Sequence, residues 1–361
     1  MSWPTWLPLR TDLQPLSPYG APQVPAQATL NTNENPYPPS LALQNAITDA
    51  IQKVTSNLNR YPDRDADVLR AKLANYINEG SGTNFEVKNI WAANGSNEII
   101  QSIFLAFGSG VTLGFTPSYS MHPLIAKVTG TKWVDGARNS DLTFNLERAI
   151  QAARDHKPTL TFITTPNNPT GDAVTLSDIN ILADVIGNQG GLLIVDEAYA
   201  EFSQEISAVT LLADKPHVIV IRTMSKAFAF AGARLGYLVA DSHVVDAMML
   251  VRLPYHLSSL TQAAAEVALD HRRELLAGVT SLVTAREHLA DSLQQLGLRT
   301  VRSSANFLLF TGFSASAPQL WASLLGKGVL IRDVGLSGYL RVTIGNEADN
   351  QRFIDALEQL L

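Results

Sequence analysis

The 361-residue sequence predicts an α/β fold in which a mostly parallel central sheet carries helices on both faces and a smaller α+β unit follows. Three observations carry that prediction. Short runs of apolar residues at 89–92, 111–115, 160–164, 191–195 and 218–221 alternate with helical patterns. Strands apolar on both faces are what a parallel sheet covered by helices requires. The runs end in polar residues of unusual chemistry, and open α/β sheets bind ligands beyond the carboxyl ends of their strands. Finally, the length exceeds what one hydrophobic core usually holds, so a second unit is expected.

In chain order, residues 1–40 are proline-rich with little periodicity and predict an extended arm that packs on the smaller unit. Ser40 is placed to cap a helix over 41–54, and residues 67–77 read as an amphipathic helix after the turn Arg60-Tyr61-Pro62-Asp63. A strand at 89–92, a turn at 94–98 and an apolar helix over 98–107 follow. Beyond them come strands at 111–115 and 160–164, a helix at 177–187, and strands at 191–195, 218–221 and 235–240. Arg252-Leu253-Pro254-Tyr255-His256 breaks the alternation, which sets the boundary between a large unit at 41–253 and a small one at 254–361. The small unit is expected to open with a long helical region over 259–296, interrupted near Gly278. Strands near 299–301, 306–310, 329–332 and 340–344 and helices near 318–326 and 349–361 complete it.

Composition narrows the function. A hydrophobic content of 46% with 17% charged residues is globular, and a net charge of −6 argues against a nucleic-acid or anionic-membrane surface. Cysteine is absent, which removes disulfides, thiolate metal sites and cysteine nucleophiles together. The first residues lack the charged and apolar regions of a signal peptide, and no apolar stretch reaches membrane-spanning length. The expectation is a cytoplasmic protein with no metal.

The chemistry centres on Lys226, which lies between two apolar runs together with Thr223, Ser225 and Arg234. A lysine withdrawn from water tends to lose its proton and becomes competent for Schiff-base formation. In isolation, a lysine whose stem packs on apolar surface explains the pattern equally well. Asp196 ends a strand of Leu, Ile and Val, and Tyr199 follows three residues on. A carboxylate there needs a donor, such as a protonated ring nitrogen, or it simply caps the next turn. Asn168 sits in Asn167-Asn168-Pro169-Thr170-Gly171, where its amide could meet a cofactor oxygen or close an Asx-turn. Tyr119 could stack on a flat ring or fill the core. Gly95-Ser96-Asn97 at a helix start suits a phosphate. Arg332 and Arg341 could each fork onto a carboxylate or phosphate. His122 and His256 have no metal-ligand spacing and read as structural. The usual zinc, nucleophile-elbow, phosphate-loop and dinucleotide motifs are missing. Taken together, strand-end Asn168, Asp196, Tyr199 and Lys226 describe a pocket for pyridoxal 5'-phosphate.

The motifs Leu-Asn-Thr-Asn-Glu-Asn-Pro (30–36), Arg-Tyr-Pro-Asp (60–63), Asn-Gly-Ser-Asn-Glu (94–98) and Pro-Ser-Tyr (117–119) closely resemble those of fold-type I pyridoxal-phosphate aminotransferases. So do Pro-Asn-Asn-Pro-Thr-Gly (166–171), Val-Asp-Glu-Ala-Tyr (195–199), Arg-Thr-Met-Ser-Lys-Ala-Phe (222–228) and Gly-Tyr-Leu-Arg-Val-Thr-Ile-Gly (338–345). The resemblance spans nearly the whole chain and points to the histidinol-phosphate branch. It implies that Lys226 is the Schiff-base lysine and proton carrier, that Asp196 pairs with the pyridine nitrogen, and that Tyr199 and Asn168 bond the ring 3-oxygen. It implies that Tyr119 stacks on the ring and that Ser96, Asn97, Thr223, Ser225 and Arg234 surround the phosphate. Tyr61 is implied to reach in from a second subunit, which makes a homodimer with shared sites. Arg341, helped by Arg332, Tyr19 and Asn33, is implied to bind the anionic group of histidinol phosphate and of glutamate or 2-oxoglutarate in turn. The rival readings are an aromatic-amino-acid aminotransferase on the same scaffold and, from another class, a non-catalytic pyridoxal-phosphate-binding regulator.

Overall fold

The computed structural model describes residues 3–361. The arm contributes one short strand, β1 (Ala28–Thr29), before helix α1 (Leu41–Thr55). Ser40 caps α1 as its sequence position predicts, its side chain accepting from Leu43 N. Helix α2 (Asp67–Ser81) leads to β2 (Ile90–Ala93), α3 (Ser96–Phe107), β3 (Val111–Gly114), α4 (Met121–Thr129), β4 (Lys132–Asp135) and α5 (Leu146–His156). Then follow β5 (Leu160–Thr164), α6 (Leu176–Gly187), β6 (Leu192–Asp196), β7 (Val218–Thr223), β8 (Gly236–Val239) and α7 (Ser242–Val251).

Strands β2 to β8 form one seven-stranded sheet in the order β2-β8-β7-β6-β5-β3-β4. Only β8 runs against its neighbours. Alternate residues sort to opposite sides, as strand geometry dictates. Leu193, Val195, Val218 and Val220 join α1, α2, α5, α6 and the helix at 259–270 in one core. Ile194, Ile219 and Ile221 join α3, α4 and α7 in the other. Burial on both sides explains why these strands read as continuous apolar runs rather than as alternating ones.

The chain then enters α8 (Ser259–Asp270) and α9 (Arg272–Gln295). The break in this region falls at His271, not at Gly278 as the sequence suggests. Gly278 lies inside α9, where one glycine costs about 1 kcal/mol. That helix outweighs the cost by burying Leu275, Val279, Leu282, Leu289 and Leu293 along one face. Helix α8 packs on α1 and α2, whereas α9 packs on the C-terminal strands. Those strands are β9 (Arg299–Thr300), β10 (Phe307–Thr311), β11 (Val329–Leu330) and β12 (Leu340–Thr343), with helices α10 (Ala317–Gly326) and α11 (Glu347–Glu358). Strands β12, β10 and β9 make an antiparallel sheet. Strand β11 pairs in parallel with β1, so the arm is stitched onto this lobe. No described helix is long and apolar enough to cross a membrane.

One close approach fixes the geometry of the site below. A Cβ on Gly236, at the start of β8, would lie 2.5 Å from both Gly95 C and Ser96 N at the start of α3. Backbone here meets backbone, so nothing flexible can give way. Gly236→Ala is expected to cost about 1–3 kcal/mol of stability and to push the α3 N-terminus out of place. Thermal unfolding should reveal the first effect and a loss of affinity for inorganic phosphate or a phosphorylated ligand the second.

Candidate active site

Strands β3, β5, β6 and β7 run parallel, so their carboxyl ends meet at one edge of the sheet. A cavity of about 420 Å³ opens there, between that edge, the arm and β12. The structure brings Tyr19, Asn33, Ser96, Asn97, Tyr119, Asn168, Asp196, Tyr199, Thr223, Ser225, Lys226, Arg234, Arg332 and Arg341 together around it. Residues drawn from distant parts of the chain converge because each follows the end of a strand or lies on the arm that crosses them.

Asp196 closes β6 and is 2% exposed. Its Oδ1 accepts from Ala198 N at 3.2 Å, and its Oδ2 lies 3.1 Å from His122 Nε2. His122, on α4, is itself buried. Sequence reasoning assigned it only a structural part, whereas the fold sets it directly behind the carboxylate. No local signal marks this, since the partners are 74 residues apart. His256 does stay structural, with Nε2 on Ala92 O and its ring stacked on Trp91.

Lys226 lies in the loop after β7, and its Nζ donates to Thr32 O at 2.8 Å. Burial, and then the nearby Arg341 and Arg234 charges, lower its pKa to about 8, with Glu34 opposing. A substantial share of neutral, nucleophilic amine is therefore present at mildly alkaline pH. Tyr199 is also buried, which raises its pKa and keeps the phenol protonated. Its oxygen accepts from Asn33 Nδ2 at 2.9 Å. Asn33, expected among the substrate contacts, lines the cavity, and its amide bonds Tyr199 and Thr343.

Arg341, on β12, donates through Nη1 to Asn168 Oδ1 at 2.5 Å and through Nη2 to Asn31 O at 2.7 Å. Burial lowers its pKa to about 10, and its buried Nε has no protein partner among the described residues. Arg332 pairs with Arg341 through the backbone and holds its guanidinium 5.9 Å from the Tyr19 ring centroid. Two guanidinium groups at one end of the cavity, one of them deeply buried, make a receptor for an anion.

Another part of the lining is shaped to receive an anion. Gly95 adopts φ +82°, and a Cβ there would lie 2.6 Å from Arg234 Nη2, so only glycine admits the guanidinium this close. The free amides of Ser96 and Asn97 open α3 beside it. Thr223 Oγ1 donates to Ser225 Oγ at 3.0 Å, and Arg234 Nη1 lies 3.4 Å from the same oxygen. Tyr119 donates to Asn97 Oδ1 at 3.0 Å and meets His122 edge-on.

Tyr61 is the exception. It stands apart from the cavity, 79% exposed, with its ring stacked on Tyr255 at 4.4 Å. Within one chain it is not brought to the site.

The donor set fits pyridoxal phosphate. It offers an anion cradle that a Cβ would fill, a buried carboxylate for a protonated ring nitrogen, two side chains for the ring oxygen and one amine for the aldehyde. A family model described as aminotransferase class I and II matches residues 25–357. The chain belongs to the class I and II aminotransferases. Proteins named histidinol-phosphate aminotransferase from Mycobacterium sp. (strain JLS) and Mycolicibacterium smegmatis are each 51% identical to it. The alignments cover 98% of this chain and, respectively, 94% and 93% of those relatives. A crystal structure of histidinol-phosphate aminotransferase from Sinorhizobium meliloti, in complex with pyridoxal-5'-phosphate, superposes with a TM-score of 0.82. That match covers 93% of this chain and 91% of the other at 23% identity, and so speaks to the fold alone.

Lys226 of this aminotransferase has a thermodynamic signature. Its pKa falls from an ordinary 10.5 to about 8 on folding, so between those values the unfolded chain binds more protons. Stability of the cofactor-free protein therefore rises with pH through this window, by about 2 kcal/mol between pH 7.5 and 9.5. Urea unfolding across that range should show the rise, and Lys226→Met should remove it.

Proposed function

We propose that this chain transfers the amino group of L-histidinol phosphate to 2-oxoglutarate, giving imidazole-acetol phosphate and L-glutamate in histidine biosynthesis. The observation that carries the reading is the 51% identity, over nearly the full length, to relatives bearing that name. The cavity is chemically consistent with it, because a single receptor must accept glutamate's carboxylate in one half-reaction and a phosphate in the other. Arg341 and Arg332 supply adjacent guanidinium groups, which fork onto either anion.

When bound, pyridoxal phosphate supplies an aldehyde that takes up the amine and a ring that delocalises the electron pair left when the adjacent proton departs. The protein's own residues do the rest. Lys226 Nζ takes the proton from the substrate carbon bearing the amine and later returns it, a role suited to an amine whose pKa is lowered to about 8. Asp196, backed by His122, holds a proton at the ring nitrogen and so keeps the ring electron-withdrawing. Tyr199 and Asn168 bond the ring oxygen, and Ser96, Asn97, Thr223, Ser225 and Arg234 anchor the phosphate. Tyr119 covers the ring face, while Tyr19 and Arg332 border the substrate end.

Tyr61 belongs to the same site through a second copy of the chain. Its exposed ring stacks on Tyr255, which lies on the same connection as Leu253, itself 74% exposed. Arg252 bonds Arg64 O and Asp65, tying the Tyr61 loop to that connection. An ordered aromatic held in water supports a covered surface in the working enzyme, and a cytoplasmic homodimer with shared sites is the assembly that uses it.

Purified protein given histidinol phosphate and 2-oxoglutarate should form glutamate much faster than with phenylalanine or tyrosine as donor. A reversed preference would favour the aromatic-amino-acid reading. No amino transfer with any donor would leave a cofactor-binding module. Arg341→Ala should raise KM for glutamate and for histidinol phosphate alike, by about ten- to a hundredfold. An unchanged KM for the phosphorylated substrate would place its phosphate elsewhere. Sedimentation should give a dimer, and Tyr61→Ala should weaken cofactor binding by about tenfold while leaving the dimer intact.

A further inference from the structure

Asn33, a residue of the arm, is 1% exposed and sits with φ +56°. Asparagine and aspartate tolerate that left-handed region better than other side-chain-bearing residues. Every polar group of Asn33 is engaged. Its N–H donates to Thr343 Oγ1 at 2.9 Å, and its carbonyl oxygen accepts from Asn306 Nδ2 at 3.1 Å. Its side-chain Oδ1 accepts from Thr343 Oγ1 at 3.0 Å, and its Nδ2 donates to Tyr199 OH at 2.9 Å.

A threonine hydroxyl has one proton. Thr343 Oγ1 receives the backbone N–H of Asn33, and among the described residues Oδ1 is the acceptor its own proton meets, which orients the amide with its NH2 group toward Tyr199. Were the amide reversed, its oxygen would take the Tyr199 proton for itself. With the NH2 group in front of it, the phenol oxygen is an acceptor on the arm side and keeps its proton for the other side. Among the described residues Tyr199 OH donates to no protein acceptor, and Tyr199 lines the cavity.

We propose that Asn33 is a positioning residue that fixes the direction of the Tyr199 hydroxyl proton, turning it from the arm toward the ring 3-oxygen of bound pyridoxal phosphate. The inference rests on the cofactor reading above and deepens it. A hydrogen bond donated to that oxygen stabilises its anionic form and eases loss of the neighbouring Schiff-base proton. Asn33 thereby helps set the pH at which the lysine–cofactor linkage titrates. Other charges also face Tyr199: Arg341 from β12, Asp196 from the end of β6, Lys226 from the loop after β7, and the phenol of Tyr19 from the arm. Glu34, beside Asn33, faces Lys226. The test must therefore separate a directed hydrogen bond from a changed charge.

The experiment is an absorbance titration of the visible band of the reconstituted protein, with no substrate present. Asn33→Asp keeps size and backbone preference but accepts hydrogen bonds only, so it should capture the Tyr199 proton. The band's pH midpoint should rise by about one unit or more, close to the rise produced by Tyr199→Phe. In a Tyr199→Phe background Asn33→Asp should add little. An Asn33→Asp midpoint equal to that of the unaltered protein would overturn the proposal. So would a shift that persists undiminished in the Tyr199→Phe background, because the new charge would then be acting directly. Asn33→Gly, which suits the backbone and removes the amide, should move the midpoint in the same direction by less. If Asn33→Asp does not fold, an unmoved midpoint in Asn33→Gly overturns the proposal instead. Absence of any visible band in the unaltered protein, after incubation with pyridoxal phosphate, would sink the cofactor reading and this proposal with it.

Discussion

An amine drawn out of bulk water must give up its proton or find partners, and the architecture of this protein follows from how Lys226 is held at the edge of the cavity. It is partly buried between the sheet edge and the arm, with Thr32 O as its hydrogen-bond acceptor. Asp196 and Arg341 face the same constraint with other charges. The carboxylate is held by His122 and by the backbone N–H of Ala198. The guanidinium is held by Asn168 and by Asn31 O. Removing either partner of such a buried contact leaves an unpaired polar group, a cost of about 1–3 kcal/mol or more for a charge.

The arm is what completes the enclosure. Three consecutive residues reach three different site groups, Asn31 to Arg341, Thr32 to Lys226 and Asn33 to Tyr199. Before them β1 pairs with β11, and Leu30 both bonds Leu330 and accepts from Thr343 N. A proline-rich segment with little periodicity has no structure of its own to hold it in place. Its order comes from the lobe it is stitched to, and its backbone carbonyls then serve as fixed acceptors.

Much of this was legible in the sequence because the chemistry follows the strands. Asn168, Asp196, Tyr199 and Lys226 each sit just past an apolar run, and parallel strands bring such positions to one edge. The cradle residues were legible for a similar reason, since glycine before a helix start advertises free amides. What the sequence hid depends on long-range geometry or on weak patterns. His122 is 74 residues from Asp196, and Asn33 is 166 residues from Tyr199, so no local spacing announces either contact. Strand β4 escaped notice as a four-residue edge strand whose Lys132 and Asp135 face solvent. Helix α5 did so because its charged surface surrounds only two buried alanines, Ala149 and Ala153. Gly278 misled because glycine's cost within a helix is small beside the apolar face that α9 buries.

The two side chains proposed to meet the ring oxygen, Asn168 and Tyr199, are tied to the same strand. Arg341 and Thr343 lie two residues apart on β12 and therefore on one face of it. Arg341 holds Asn168 directly, and Thr343 holds Tyr199 through Asn33. Strand β12 belongs to the C-terminal sheet, whereas Asn168 and Tyr199 follow β5 and β6 of the large sheet. Any displacement of one sheet against the other must alter both contacts together. An anion drawn onto Arg341, in its proposed role, would compete with Asn168 Oδ1 for the same guanidinium, so occupancy there would change the hydrogen bonding of Asn168. The link requires no moving lid, since two side chains on one strand already join the proposed anion receptor to Asn168 and Tyr199.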